Sequence, residues 1–74
     1  MPKLRQLSGA EVRAILEKHG FVYIGTEGSH MKLRYTDDNG QVWTAMVPTH
    51  RSIKIGTLSS IIRQSGLGRG PFEA

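Results

Sequence analysis

The 74-residue chain predicts a single α+β domain of order α-β-β-β-α, a three-stranded antiparallel sheet with both helices on one face. Three observations predict it. Ser8 and Glu11 form a capping box ahead of a helical apolar stripe. Strict alternation from His30 to Thr36 runs into Asp37-Asp38-Asn39-Gly40 and a returning apolar segment. A second helical stripe, Leu58, Ile61 and Ile62, ends at Gly66.

The elements follow in order. Leu7 and Val12 occupy the two positions of a hydrophobic staple around the first helix start. Val12, Ile15, Leu16 and His19 share one face of a helix over 9–19, so His19 is expected as a partly buried core histidine. Gly20 is placed to end that helix in a left-handed conformation. Phe21-Val22-Tyr23-Ile24 reads as a short strand ending at Gly25, with a turn over 25–29. Residues 30–36 form a half-buried strand, Asn39-Gly40 marks the hairpin, and 41–47 return until Pro48 stops them. A loop over 49–56 carries His50, Arg51 and Lys54, and Thr57 is placed to cap the second helix. One domain is expected over 1–67, with a flexible tail over 68–74.

Composition limits what such a chain can do. A domain of 8.2 kDa has a small core and no room for a deep cofactor cavity. With no cysteine, disulfides, thiolate metal sites and a cysteine nucleophile are excluded, and a reducing cytoplasm is the expected location. Met1-Pro2-Lys3-Leu4-Arg5 has no apolar run like a signal-peptide core, and Phe21–Ile24 is far short of the roughly 20 residues that span a bilayer. No membrane role is expected. Ten Lys and Arg against six Asp and Glu leave a net charge of +4, which suits a polyanionic partner.

Strand parity directs that charge. If Met31, Leu33 and Tyr35 face the helices, His30, Lys32 and Arg34 face away from them in one row. An extended positive face fits a phosphate backbone. Histidine exchanges a proton near neutral pH, and His30 opens its strand directly after Gly28-Ser29, where backbone amides can approach a phosphate. The side of Trp43 depends on the hairpin: an even loop turns it outward to stack on a base or on Arg34, and a bulge turns it into the core. His19, His30 and His50 fall on three separate elements without metal-ligand spacing, so no metal and no cofactor is expected. Phosphate-loop and dinucleotide fingerprints are absent, and Ser29 has no base-and-orienter set around it.

Several segments, taken in order, resemble the HicA-type mRNA interferase toxins of toxin–antitoxin pairs. They are Leu7-Ser8-Gly9, Gly20-Phe21, Gly28-Ser29-His30, Val47-Pro48-Thr49-His50, Gly56-Thr57-Leu58, and Ile61 to Leu67. The resemblance covers nearly everything from Leu7 to Leu67. It implies a fold like that of a double-stranded-RNA-binding domain, metal-independent cleavage of mRNA with His30 as the catalytic histidine, and a HicB-type antitoxin that covers the active face. In that reading Gly28, Ser29, Lys32, Arg34, His50 and Arg51 contact RNA, and His30 takes the proton of a ribose 2′-hydroxyl. Whether His50 also protonates the leaving oxygen stays open. The loop 51–55 is more apolar than the family pattern leads one to expect, and the tail matches none of it. Two rival readings use the same face: a non-catalytic RNA-binding module, and an interaction domain for an acidic protein.

Overall fold

The computed structural model describes residues 3–73. Helix α1 (Gly9–Lys18) is followed by strands β1 (Val22–Glu27), β2 (His30–Thr36) and β3 (Val42–Pro48), helix α2 (Ile55–Ser65) and a short 3-10 turn (Gly70–Phe72). The sheet is antiparallel with β2 central, in the order β1-β2-β3. This is the α-β-β-β-α order expected from the sequence.

Local chemistry sets the start of α1. The Glu11 N–H donates to Ser8 Oγ at 3.1 Å, and the Ser8 N–H donates to Glu11 Oε1 at 2.9 Å. That second bond, reinforced by the Ser8 hydroxyl and nearby Arg5, holds the Glu11 carboxyl below the usual glutamate range. The helix ends in a Schellman arrangement. The Phe21 N–H reaches the Leu16 carbonyl at 3.0 Å, the Gly20 N–H reaches Glu17 at 3.1 Å, and Gly20 sits at φ 96°. His19 is the C-cap of this helix and is exposed, contrary to the expected core position. The buried stripe ends with Leu16, and His19 lies beyond it at the helix end, where the chain turns at Gly20 and the imidazole stays in contact with water.

Both helices cover one side of the sheet. Val12 and Leu16 of α1, together with Leu58, Ile61 and Ile62 of α2, form one core with Met31, Leu33, Ala45 and Val47 of the strands. Gly9 makes close packing possible where α1 meets β3. A Cβ at this position would run into the Pro48 carbonyl oxygen.

On three further points the structure corrects an expectation, and on one, the side of Trp43, it decides between two open alternatives. First, β1 does not end at Gly25. It continues to Glu27 through a bulge at Ile24, and only Gly28-Ser29 form the turn. Gly28, at φ 58°, takes the first central position and Ser29 keeps a negative φ, the combination of a type II′ hairpin. Second, the β2–β3 loop holds an odd number of residues, 37–41, so Tyr35 pairs with Trp43 and Trp43 turns to the helical side. The outward, base-stacking placement does not occur. Third, α2 begins at Ile55 with Lys54 as N-cap and no side-chain cap bond, so Thr57 lies inside the helix. Fourth, the segment 68–73 is not a free tail. Phe72 is fully buried, the Arg5 N–H donates to its carbonyl at 2.8 Å, and Leu4 bridges to Glu73. An aromatic ring that enters the core outweighs the glycines that make this segment look mobile.

Candidate active site

The uncovered side of the sheet carries the basic row that alternation predicts. His30 and Arg34 are exposed and Lys32 is half-buried, while Met31 and Leu33 between them are buried. Cross-strand pairing fixes their neighbours. Arg34 stands between Val22 and Thr44, Lys32 between Gly25 and Met46, and His30 between Glu27 and Pro48. Val22 and Val42 are 62% and 53% exposed, so an apolar fringe borders the Arg34 end of the row. Among the described residues none of Lys32, Arg34, Arg51 or Lys54 carries an ion pair. Among those residues no carboxylate claims their charge.

At the His30 end the row opens into a cleft of about 280 Å³. Pro48 and Ile53 supply its apolar lining. His30, His50, Ser52, Lys54 and Thr57 supply the polar groups. The cleft therefore combines the first residue of β2, the loop after β3 and the first turns of α2. The loop is held by the backbone on each side of His50. The Thr49 N–H donates to the Ser29 carbonyl, the Gly9 N–H to the His50 carbonyl and the Ile53 N–H to the Leu7 carbonyl, each at 2.8 Å. The first of these bonds joins the residue before His30 to the residue before His50. Two imidazoles from distant parts of the sequence thus share one cleft.

Not every residue singled out from sequence reaches it. Gly28 and Ser29 form the preceding turn, Lys32 and Arg34 lie along the open face, and Arg51 is exposed just beyond His50. None of the five lines the cleft. Ser52 and Thr57 belong to it and were not anticipated as site residues, and Lys54, read from the sequence only as part of a basic loop, belongs to it as well. The signal for Lys54 was its position four residues after His50 in a loop that must return to the sheet end, but the early start of α2 is what turns it in. Among the described residues no three of His, Asp and Glu stand together in a metal-holding group. Among the same residues no helix is long and apolar enough to cross a membrane.

Chemically, the arrangement offers an exposed row of cations leading to a small cleft with two proton-exchanging side chains and a lysine. Such a site suits an extended anion with a reacting group at one end. These features define a small α+β domain with an open basic sheet face and an imidazole-bearing cleft. The family model described as the HicA toxin of bacterial toxin–antitoxin systems matches residues 9–67, and the chain belongs to that family. A comparison with curated proteins gave no match. Membership makes the chain a toxin whose partner is an antitoxin. The matched span ends at Leu67, before the segment that delivers Phe72 to the core.

Proposed function

We propose that the toxin acts as a metal-independent endoribonuclease on mRNA, with His30 as general base. The observation that carries this reading is the position of His30, exposed at the head of the Lys32–Arg34 row and lining the cleft. Lys32 and Arg34 contact successive phosphates and fix the register of the strand without reading its sequence. His30 removes the proton of a ribose 2′-hydroxyl. The 2′-oxygen attacks the adjacent phosphorus, the bond to the 5′-oxygen breaks, and a 2′,3′-cyclic phosphate remains. Lys54 offsets the charge that builds on the phosphorane within the cleft. Gly28 and Ser29 shape the entry turn, and Arg51 extends the RNA contact past the sheet. A HicB-type antitoxin silences the toxin by covering this same open face, and the reaction takes place in the cytoplasm.

The test compares wild type and His30→Ala on RNA in excess EDTA. Wild type is expected to cut and to leave 2′,3′-cyclic phosphate ends, and His30→Ala to be slower by about 10²–10⁴-fold. Because His30 is exposed, the variant should keep its urea midpoint. Cleavage that EDTA abolishes would indicate a metal mechanism. Equal cutting by both proteins would remove His30 from the chemistry, and 3′-hydroxyl ends would contradict attack by the 2′-oxygen.

A further inference from the structure

We infer that His50 is the general acid of the reaction, the group that protonates the 5′-oxygen as it leaves. The inference rests on the nuclease reading above and adds a second proton-transfer residue to it. In-line displacement at phosphorus places the attacking and leaving oxygens on opposite sides of the reacting atom. One side chain cannot serve both positions in a single step. A leaving ribose alkoxide is a poor leaving group, and a base acting alone leaves that half of the barrier untouched.

The cleft holds a second group suited to this work. His50 lines it together with His30, from a different element and from twenty positions along the chain. Its backbone is fixed although it lies in a loop: its carbonyl accepts from Gly9, and its neighbours Thr49 and Ile53 are tied to Ser29 and Leu7. The backbone on both sides of the exposed His50 ring is thus held at the rim of the cleft that His30 also lines. The cleft, at about 280 Å³, lies near the lower limit of small-ligand sites, which suits one backbone linkage rather than several nucleotides. Among the remaining polar groups, Ser52 and Thr57 bear hydroxyls, which are weak acids. Lys54 is already assigned to the charge that builds on the phosphorane.

The step balances. His30 gains the 2′-hydroxyl proton while the 2′-oxygen–phosphorus bond forms. The phosphorus–5′-oxygen bond breaks, and its electron pair takes the proton of the His50 imidazolium. The enzyme is left with the proton on the other imidazole, and exchange with water resets both.

The test uses two RNA substrates, one ordinary and one whose bridging 5′-oxygen at the cleavage site is replaced by sulfur. A thiolate leaves without being protonated, so an acid is needed for the first substrate and not for the second. His50→Ala is expected to slow the ordinary substrate by about 10²-fold or more while cutting the sulfur-bridged one at close to the wild-type rate. His30→Ala is expected to be slow on both. His50→Gln, which keeps a polar side chain of similar reach, should behave like His50→Ala. Equal slowing of both substrates by His50→Ala would overturn the inference and reduce His50 to a binding or structural contact. Full activity of His50→Ala on the ordinary substrate would overturn it as well. Wild type that leaves both substrates intact would defeat the nuclease reading itself, and this inference with it.

Discussion

On the helical side of β2, Met31 and Leu33 are sealed beneath α1 and α2, and Tyr35 packs on Phe21 with ring centroids 5.5 Å apart. On the open side, one residue out of step, His30, Lys32 and Arg34 face solvent without ion pairs among the described residues. The same seven residues of strand therefore serve two ends. Because side chains alternate, holding the fold together and presenting a charged surface are assigned to different positions of one segment. Substitutions on the two sides should accordingly move different measurements.

The largest effect on stability is expected from the covered side. Leu33→Ala removes a fully buried side chain where α1, α2 and β3 converge, and should lower unfolding free energy by about 2–5 kcal/mol, much of what a small domain has. Urea denaturation reads this directly. An unchanged midpoint would mean that the helices do not seal this face. A smaller effect, of another kind, is expected from the open side. Lys32→Ala and Arg34→Ala, placed in the His30→Ala background to keep RNA intact, should each lower the salt slope of single-stranded RNA binding by about 0.7. Each should leave stability within about 0.5 kcal/mol. A slope that does not move would detach the row from the phosphate backbone.

The smallest effect is expected at the hairpin joining β2 to β3. One Asp37 oxygen accepts from the Asn39 and Gln41 amides at 2.9 Å, and the other accepts from the Trp43 indole at 3.1 Å. The indole bond first, then the amides, hold this carboxyl below the usual aspartate range. A folded value below the unfolded one, about 3.9, gives stability that is present above it and lost as pH falls through the folded value. Wild type should therefore weaken in acid below about pH 4, and Asp37→Asn should weaken less steeply. Glu11, also held low, supplies a remaining slope in both proteins. Urea midpoints taken from about pH 5 downward separate the two, and parallel curves would show that Asp37 contributes nothing.

Much of this molecule was legible in the sequence where the signal is local. The capping box, the Gly20 helix end and the parity of β2 each depend on residues a few positions apart, and each appears as read. Trp43 shows where local reading stops. Asn39-Gly40 announces a hairpin, but the parity of β3 depends on how many residues the loop holds. That count follows from the Asp37 carboxylate collecting donors at 39, 41 and 43. Two of the conditions lay in the sequence, an acid at the loop start and a glycine three positions later, as in a type I turn closed by a left-handed residue. The cleft was less accessible still. His30 stood out by itself, whereas its companions His50 and Lys54 meet it only through the joining of residue 29 to 49 and the early start of α2. Phe72 was hidden by its glycine neighbours, because nothing local reports that a ring five residues past Leu67 fills the core.

The two outer strands have a consequence for how other molecules can reach this sheet. Met46 and Pro48 share the parity that points toward the free side of β3. The Met46 N–H is already taken by the Gln64 side-chain oxygen at 3.0 Å, and proline has no N–H to offer. On the opposite flank β1 is broken by its bulge at Ile24. Neither border gives a long, regular ladder onto which a foreign strand could zip, so runaway stacking of copies edge to edge is discouraged. The broad face, with the row that leads to His30, is left as the larger continuous surface of the sheet.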